Sequence, residues 1–476
     1  MQKDKRKKLY KKIALAVILA LAAYIFLSGY IPPLIRKKAA DSPTFNASIS
    51  SERAAVIDDN TDALLYRLRL IESAKEEICL STYSYYDDES GNDVACALYA
   101  AADRGVKVKI LIDGFNENKI LRAAAFKALA AHENAEIKIY NPVRLFTFYR
   151  SNFRMHDKYL TSDSSAYILG GRNVGDLFLG DYRTKQNIDR DVLVCREEEN
   201  DGKSDSVREV KEYFSSVWRL SESKVFSSKS MKKTSTASDA LRRRYTALKK
   251  SYPIISVPID PTTETMKTRG ITLIHGEVTA TAKRPVLWQT LLSAVRQNVT
   301  ENGAGDLLIQ TPYAICDGKM YDGISALTDS GVTVRLITNS IRSGANPWGC
   351  ADYLNERTAI LKTGAAITEI GGSRSAHVKT MLSGENLCFI GSFNLDMRSV
   401  YLNTETVLAI DCNEMNASLR EQAAAQTESG KTTRRTAGGE YVFSYGENYV
   451  FKDAPLLKRA TYAALRVVLP LFRHLL

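Results

Sequence analysis

One polar pattern occurs twice in this chain, and its repetition constrains the fold more than any other feature. Each copy has a histidine, a lysine two residues later, a pair of small residues 14 and 15 positions after the histidine, and an asparagine at position 17. The copies are His156, Lys158, Gly170, Gly171 and Asn173, and His377, Lys379, Gly391, Ser392 and Asn394. Identical spacing indicates a duplicated module, and we expect the two polar sites to face each other.

The sequence around the pattern alternates between strands and helices in the way that is typical of an α/β fold. In the first half, apolar residues 78–83 are followed by a helical stretch and then by a glycine and an alternating segment at 105–113. Residues 307–313 and 331–339 repeat this order in the second half. Strand, helix and strand in this order predict a βαβ unit in each half.

The segments outside the two halves differ from them in composition. A stretch rich in Ser, Thr and Lys predicts a connector between the halves, with a helix around 241–250. A later stretch rich in Thr, Ser and Gly predicts a polar loop. The predicted division of the chain is a basic tail at 1–12, an apolar segment at 13–35, modules at 55–220 and 269–415, a linker at 221–268, a polar loop region at 416–440 and a C-terminal segment at 441–476.

The net charge of +11 is concentrated at one end of the chain. Residues 1–38 contain ten Lys or Arg and one acid, Asp4, which accounts for +9 and leaves about +2 on the other 438 residues. Because these charges flank one segment and do not cover a face, we expect no nucleic-acid partner. The seven cysteines are scattered without a C-x-x-C pair, which argues against a disulfide framework and a structural zinc site.

The apolar segment at 13–35 is long enough to cross a membrane. Its 23 uncharged residues make roughly 35 Å of helix, against a hydrocarbon core of about 30 Å. A cleaved signal peptide is the alternative, but its apolar region is normally shorter, and Lys38 stands where a small residue should precede Ala40. More basic residues precede the segment than follow it, which predicts a single-pass anchor in the cell membrane with a cytoplasmic N-terminus.

The end of the chain, residues 456–476, is apolar with basic residues interspersed at Lys458, Arg459, Arg466 and Arg473. This pattern is typical of an amphipathic helix that lies on a membrane surface. A helix docked on the body of the protein is the alternative, and the sequence fits both.

The duplicated residues suit chemistry at a phosphate diester. Two lysines and two asparagines supply fixed donors to the non-bridging oxygens, where negative charge increases in the transition state. Two imidazoles on opposite sides suit in-line displacement, because one attacks phosphorus while the other protonates the leaving alkoxide and then deprotonates the incoming hydroxyl. The sequence has no acidic cluster of the kind that a two-metal site needs, and we expect no metal and no cofactor.

The motifs resemble the signature of the phospholipase D superfamily, which also has an aspartate at the position of Asp163. The phrases GGRNVGD (170–176), TNS (338–340), IGSFNLDMRS (390–399) and LNTE (402–405) are similar to its bacterial cardiolipin synthase branch. The resemblance covers roughly residues 55–415. It implies two tandem α/β/α modules packed pseudo-symmetrically, one active site at their interface, and a phosphatidyl-histidine intermediate.

The same resemblance implies roles for further residues. In this family an acidic residue after each asparagine orients a histidine; Glu405 fits this in the second half, and Asp189 or Asp191 in the first. A strand-end salt bridge is the alternative for these acids. Tyr83 and Tyr313, at matching strand ends, are candidates for substrate-binding residues of the pocket wall, with core packing as the alternative for each.

The second motif departs from the family at Gly384, where Asp163 stands in the first. We expect the aspartate to brace the site, so its loss should make the positions of the site residues less exact without abolishing the reaction. His156 is therefore the expected nucleophile and His377 the general acid and base, with the reverse assignment as the alternative. The predicted catalytic set is His156, Lys158, Asp163, Asn173, His377, Lys379, Asn394 and Glu405, supported by Asp189, Asp191, Gly170, Gly171 and Ser392.

The motifs and the predicted anchor favour a membrane-anchored phosphatidyltransferase that makes cardiolipin. The resemblance implies phosphatidylglycerol as the acceptor, and the sequence leaves the donor open between a second phosphatidylglycerol and phosphatidylethanolamine. The alternatives are a hydrolase of the phospholipase D type, a nuclease of the same superfamily, and a lipid-binding protein with an impaired site. The near-neutral body of the chain argues against the nuclease, and the sequence points to no particular protein partner.

Overall fold

A computed structural model describes residues 2–35, 37, 43–120, 122–197, 205–226, 234–303 and 305–476. Two nine-stranded sheets form its centre. The first contains β1 (Glu52–Ile57), β2 (Glu77–Thr82), β3 (Lys107–Asp113), β4 (Ala135–Tyr140), β5 (Lys158–Ser162), β6 (Ala166–Gly170), β7 (Asp191–Arg196), β8 (Ser223–Val225) and β9 (Met266–Lys267). The second contains β10 (Gly270–His275), β11 (Asp306–Gln310), β12 (Thr333–Asn339), β13 (Ala366–Ile370), β14 (Thr380–Ser383), β15 (Leu387–Gly391), β16 (Thr406–Asp411), β17 (Gly430–Arg435) and β18 (Tyr441–Tyr445).

Eight strands of each sheet follow one order, which confirms the predicted duplication. The order β8-β4-β3-β2-β5-β6-β7-β1 of the first sheet corresponds to β17-β13-β12-β11-β14-β15-β16-β10 of the second, and β9 and β18 extend the two sheets at opposite ends. In each sheet the two strands of the βαβ unit are parallel: β2 with β3 in the first sheet and β11 with β12 in the second. The strand that follows each histidine pairs antiparallel with the first strand of that unit, β5 with β2 and β14 with β11.

Helices lie on both sides of each sheet. They are α1 (Gln2–Tyr30), α2 (Asn60–Ser73), α3 (Glu89–Asp103), α4 (Glu117–Ile120), α5 (Ala124–Leu129), α6 (Ser206–Trp218), α7 (Thr234–Ser251), α8 (Pro261–Glu264), α9 (Val286–Asn302), α10 (Gly318–Asp329), α11 (Pro347–Lys362), α12 (Met397–Tyr401), α13 (Asn413–Thr427) and α14 (Leu456–Val468). Every residue of β5, β6, β14 and β15 is buried. Strands covered on both faces need no polar alternation, which explains the continuous apolar sequences of β6 and β15.

One hydrophobic core joins the two modules. The outer face of each sheet packs against its own helices, whereas the inner faces of both sheets share a cluster with α6 and α13. Val194 of β7, Phe214 of α6, Ile390 of β15 and Leu419 of α13 all belong to this cluster. The predicted pair of α/β/α modules is therefore confirmed, and their interface is a packed core.

The predicted linker at 221–268 is largely part of the first module. Strand β8 pairs with β4, β9 pairs with β1, and helix α7 buries Leu241, Tyr245 and Leu248 against the module. Its composition is polar because α7 exposes its other face and β8 is an edge strand. Residues 227–233 lie outside the described residues.

The predicted polar loop at 416–440 is regular structure in the second module. Helix α13 buries Leu419 and Ala423 in the shared core, and β17 extends the second sheet between β13 and β18. The polar side chains that suggested a loop belong to the exposed faces of a helix and of strands near a sheet edge. Sequence composition alone does not distinguish such faces from a loop.

Among the described residues, one helix is long and apolar enough to cross a membrane. The candidate span is Leu9–Leu34, with a mean hydropathy of 2.3, and none of its most apolar window is buried. It contains most of the predicted segment at 13–35. Arg36 and Lys38 of the following basic cluster lie outside the described residues.

Helix α14 is docked on the second module by one face. Tyr462 is buried against Cys350 and Ala351 at the start of α11. The opposite face of α14 remains exposed, with Leu456 and Val467 in solvent. The docked alternative therefore holds for one face of the helix, and the other face is free of the body.

Asp163 and Gly384 occupy matching turns at the ends of β5 and β14 and have left-handed φ values of 52° and 56°. The Asp163 carboxylate accepts hydrogen bonds from the backbone N–H groups of Lys75, Glu76 and Glu77 at 3.0, 2.8 and 3.0 Å. Strand β5 separates Asp163 from Lys158 by about 16 Å. The structure thus corrects the predicted catalytic set: Asp163 braces a turn far from the histidines.

We expect Asp163→Ala to lower the free energy of unfolding by about 2 kcal/mol, because three hydrogen bonds to a charged acceptor and a tolerated left-handed residue are both lost. Urea unfolding measures this change. Asp163→Asn is the matched control and should lose less, since asparagine keeps an acceptor oxygen and adopts the same conformation. Turnover of the folded Asp163→Ala protein should stay within about twofold of the parent; a loss of the size given by deleting an acid or base, about 10² or more, contradicts this assignment.

Candidate active site

The two motif histidines lie at the interface of the modules, and each contacts a carboxylate from the other half. Nδ1 of His156 is 2.9 and 3.0 Å from the two carboxylate oxygens of Glu405. Nδ1 of His377 is 2.6 Å from Oδ2 of Asp189. Glu405 was predicted to orient the histidine of the second half, and Asp189 or Asp191 that of the first. The structure corrects this assignment, because both pairs cross the interface.

Short backbone bridges produce the crossing in the first pair. The segment before His156 lies parallel to the segment before Glu405, with an isolated bridge between Met155 and Thr404. The N–H of Thr404 donates to the carbonyl of Arg154 at 2.9 Å, and the N–H of His156 donates to the carbonyl of Thr404 at 3.0 Å. These bonds fix the two side chains beside each other.

The second pair repeats the arrangement with the modules exchanged. The N–H of Ile188 donates to the carbonyl of Ser375 at 2.9 Å, and the N–H of His377 donates to the carbonyl of Ile188 at 2.7 Å. An isolated parallel bridge joins Ile188 and Ala376. Each histidine therefore depends on backbone contacts that neither module makes alone.

Of the two aspartates proposed for the first half, Asp189 reaches a histidine and Asp191 does not. Asp191 is fully buried and pairs with Arg67 at 2.8 Å and Arg172 at 3.3 Å. The strand-end salt bridge, which was the alternative for these acids, is thus correct for Asp191. Asp189 holds His377, the contact expected of the acidic residue that orients a histidine.

The glycine pair of the first motif makes room for both aspartates. A Cβ on Gly170 would lie 2.2 Å from Oδ1 of Asp191, and a Cβ on Gly171 would lie 2.2 Å from Oδ1 of Asp189. Both separations are far below van der Waals contact. The glycines therefore act by close packing against the carboxylates.

The second motif has a serine in place of Gly171, and this serine binds the carboxylate. Ser392 Oγ donates to Glu405 at 2.5 Å, Ser399 Oγ donates at 2.7 Å, and Asn403 Nδ2 donates at 3.2 Å. Glu405 is thus held by three neutral donors in addition to His156. Ser399 and Asn403 were not among the predicted site residues, although both lie within the motif phrases at 390–399 and 402–405.

The two lysines are buried behind the histidines. The Lys158 ammonium donates to the carbonyl of His156, and the Lys379 ammonium donates to the carbonyl of His377 and lies 2.8 Å from its Nδ1. Burial lowers the pKa of Lys158 to about 7 and that of Lys379 to about 8. A bound anion would favour the charged form of both lysines.

The asparagines differ between the two halves. Oδ1 of Asn173 accepts the backbone N–H of Ser84 at 3.1 Å, which fixes the amide and leaves Nδ2 as a donor. Asn394 is also buried, but its Oδ1 has no hydrogen-bond partner among the described residues. A buried amide oxygen without a partner is uncommon, and it lies within the motif site.

The electrostatics of the two pairs are unequal. Burial, together with Lys158 and Lys379, lowers the pKa of His156 well below its usual value, and burial raises the pKa of Glu405 to about 7. Burial also lowers the pKa of His377, where nearby Lys379 acts in the same direction while Asp189 opposes it. The pKa of Asp189 is lowered although burial opposes this, because Lys379 and His377 are close.

These shifts define the protonation of the site. The lowered pKa values favour the neutral form of both imidazoles in the free protein. An ionised carboxylate accepts only from Nδ1–H, so Nε2 carries the lone pair of a neutral ring that is held in this way. Among the described residues, no group of three or more His, Cys, Asp or Glu side chains is arranged to hold a metal ion.

Aromatic residues cover the two histidines unequally. The ring of Tyr83 lies 5.1 Å from that of His156, as expected for a residue of the pocket wall. Tyr313 occupies the matching strand end, but its ring packs against Gly349, whose Cβ position is 2.7 Å from it. Phe178 of the first module lies 5.4 Å from the ring of His377 instead. The core-packing alternative thus describes Tyr313, and Phe178 carried no sequence signal.

The chain is similar to known proteins in sequence. The chain matches the protein family described as "Cardiolipin synthase, PLD-like domain" at residues 68–218 and 302–426. It is 28% identical over 408 residues to cardiolipin synthase C of Escherichia coli K12, covering 78% of this chain and 84% of that protein. It is 25% identical over 352 residues to the major cardiolipin synthase ClsA of Bacillus subtilis 168, covering 74% of this chain and 64% of that protein.

The fold is also similar to that of a solved structure. The crystal structure of phosphatidylserine synthase from Haemophilus influenzae Rd KW20 superposes with a TM-score of 0.61 at 14% identity, covering 90% of this chain and 98% of that one. At this identity the likeness concerns the fold alone. The family match covers more than half of the chain and includes both motifs. The chain therefore belongs to the family of cardiolipin synthase proteins with a phospholipase D-like domain.

Proposed function

We propose that the protein is a membrane-anchored phosphatidyltransferase that forms cardiolipin through a phospho-histidine intermediate. The observation that carries the proposal is the pair of crossed histidine–carboxylate contacts with a buried lysine behind each ring. This arrangement offers a nucleophile, an opposing acid and base, and cationic donors for one phosphate diester. The α1 anchor and the family's cardiolipin synthases support a phospholipid as the substrate.

In the first step, Nε2 of His156 attacks the phosphorus of the donor lipid. The bond from phosphorus to the donor's headgroup oxygen breaks, and His377 supplies the proton to that oxygen. His156 suits the nucleophile because its pKa is held well below the usual value, whereas the Asp189 carboxylate beside His377 favours a proton on that ring. The anionic phosphate adds negative charge that further favours protonation of His377.

In the second step, a hydroxyl of phosphatidylglycerol replaces His156 on phosphorus. His377 removes the proton of this hydroxyl as the new P–O bond forms, and the P–N bond to His156 breaks. The products are cardiolipin and, from the first step, glycerol or ethanolamine according to the donor. The ammonium groups of Lys158 and Lys379 and the amides of Asn173 and Asn394 bind the non-bridging oxygens.

The anchor gives the proposed location. The basic residues before the apolar segment favour a cytoplasmic N-terminus, which places the catalytic modules on the other side of the cell membrane. Hydrolysis is the second candidate function, because water in place of the acceptor hydroxyl would release phosphatidic acid from the same intermediate.

We expect His156→Ala to abolish cardiolipin formation by purified full-length protein in phosphatidylglycerol vesicles, because the nucleophile is lost. Lipid mass spectrometry, with and without phosphatidylethanolamine, measures the product and identifies the donor. His132→Ala is the matched control, since His132 pairs with Asp103 outside the site. Phosphatidic acid as the only product of the parent protein would establish the hydrolase, and full activity of folded His156→Ala would refute the assignment.

A second variant distinguishes the roles of the two histidines. We expect His377→Ala to slow turnover by about 10²- to 10⁴-fold, the usual contribution of a general acid and base. Because resolution of the intermediate is impaired, the intact-protein mass should increase by one phosphatidyl group, and this adduct should be absent from His156→Ala. An adduct on His156→Ala and none on His377→Ala would reverse the two roles.

The crossed carboxylates predict a pH dependence. Glu405 must be ionised to accept Nδ1–H of His156, and its pKa is raised to about 7, so kcat/KM should rise with pH through this region. We expect Glu405→Gln to remove this acidic limb and to reduce activity by roughly 10³- to 10⁴-fold, because the amide no longer selects the tautomer. Asp189→Asn should show a similar loss but keep the limb, since Glu405 is intact. An unchanged profile in Glu405→Gln would assign the limb to another group.

A further inference from the structure

The end of helix α1 is held alongside a turn of the first module. The hydroxyl of Tyr24 donates to the carbonyl of Leu145 at 3.0 Å, and Nδ2 of Asn152 donates to the carbonyl of Gly29 at 2.7 Å. Phe148 packs close to Gly29, with a ring atom 3.1 Å from the Cβ position of the glycine. Residues 145–152 therefore run beside the last two turns of α1.

Residues near the end of the chain hold the same helix from another side. The hydroxyl of Tyr30 donates to the carbonyl of Leu471 at 2.7 Å, and Nε2 of His474 is 3.1 Å from the carbonyl of Tyr30. The rings of Tyr30 and His474 meet edge to face at 4.5 Å. Helix α1 is thus fixed between residues 145–152 and the segment that follows α14.

These contacts define where a bilayer around α1 meets the body. Tyr24 lies about 9 Å along the helix axis from Tyr30. The interfacial layer on each side of the hydrocarbon core is only about 5–7 Å thick. A bilayer that surrounds the candidate span Leu9–Leu34 must therefore also surround the residues in contact with Tyr24.

Both flanking segments present apolar side chains that the body leaves uncovered. Phe146 is 88% exposed, and Leu145 and Tyr149 beside it are also exposed. On α14, Leu456, Leu457 and Val467 lie opposite Tyr462, the residue that docks the helix, and Leu457 is 79% exposed. The following residue Leu471 is exposed as well.

The charges beside the exposed apolar residues of α14 fit an anionic lipid surface. Arg459 and Arg466 lie on the flank of the helix between the exposed stripe and the docked face. An apolar stripe bordered by arginines is the pattern of helices that lie in the headgroup layer. Arg459 contacts exposed Asp453, and Arg466 contacts Asn355, so both stay at the surface.

We propose that these two apolar patches are seated in the phospholipid bilayer around the exit of α1. They form one surface, here called the collar: Leu145, Phe146, Tyr149, Leu456, Leu457, Val467 and Leu471. The occupant is the same leaflet that α1 leaves, because Leu145 and Leu471 accept hydrogen bonds from its final turns, and α14 leads directly into the segment that contains Leu471. Neither the family motifs nor the catalytic residues belong to the collar.

The collar brings the leaflet close to the reacting histidine, and this consequence depends on the proposed function. His156 follows Asn152 by four residues, a reach of at most about 14 Å. Arg398, four residues after Asn394, donates to Asn152 at 3.0 Å and to the carbonyl of Leu475 at 2.7 Å. The reacting histidine thus lies close to the depth of the headgroup layer, and an opening on this side would admit a lipid with its acyl chains still in the leaflet.

Depth-dependent fluorescence quenching tests the seating on the full-length protein. Bimane is attached at Phe146→Cys or Leu457→Cys in phosphatidylglycerol vesicles that contain doxyl-labelled lipids; the native cysteines are buried. Arg243→Cys, on exposed helix α7 of the first module, is the matched control. We expect doxyl lipids to quench the label at 146 and 457 by at least about twofold more than at 243.

Two results would overturn the proposal. Labels at 146 and 457 that are quenched by aqueous iodide but not by doxyl lipid would place the collar in water. Labels shielded from both quenchers would show that a second copy of the chain covers it.

An activity measurement separates the collar from the proposed chemistry. We expect Phe146→Asp and Leu457→Asp to lower kcat/KM on vesicles by about tenfold, while turnover of short-chain monomeric phosphatidylglycerol stays within about twofold of the parent. Equal losses on both substrates would contradict a role in bilayer seating. Absence of turnover in the parent protein on both substrates would refute the proposed function and leave the quenching result as the test of the collar.

Discussion

The site depends on two histidine–carboxylate contacts that cross the module interface, Glu405 with His156 and Asp189 with His377. Both carboxylates are fully buried, so each would be strongly unfavourable without its partners. Those partners come from the opposite half of the chain, positioned by single backbone bridges. The shared apolar core beneath them keeps the two modules in register. One module by itself would hold a buried lysine and a histidine with no acid to orient it.

Duplication has left the two halves alike in backbone and different in chemistry. Gly171 admits the Asp189 carboxylate against the backbone, where it accepts from His377 under the influence of Lys379. Its counterpart Ser392 donates to Glu405, whose pKa is nevertheless raised by burial. Burial and the lysines lower the pKa of both histidines, but Asp189 opposes this at His377, so the two rings differ in their tendency to take up a proton. A reaction that needs a nucleophile and an acid at the same moment requires such a difference between otherwise equivalent rings.

The sequence predicted the parts that are local and missed those that depend on the interface. Equal spacing from His to Asn reveals equal strands and turns, and hence the two modules and the motif residues. It does not reveal which segments meet across the interface, so the exchange of Glu405 and Asp189 was unpredictable. The choice between Asp189 and Asp191 depended on buried Arg67 and Arg172, which are distant in sequence. Polar composition also hid α7, α13 and β17, because their exposed faces have the residues of loops.

For the proposed phospho-histidine intermediate, the competition between transfer and hydrolysis depends on what surrounds it. Water is abundant, whereas an acceptor lipid is concentrated only within a leaflet. Transfer therefore requires a site that excludes water and stays open to the acceptor lipid. Tyr83 and Phe178 cover the two imidazoles with apolar ring surface, and both motif lysines are buried. If the remaining opening faces the headgroup layer at the collar, the only hydroxyls in high local concentration at the phospho-histidine are those of lipids. Membrane seating and the choice of acceptor then have a single structural cause.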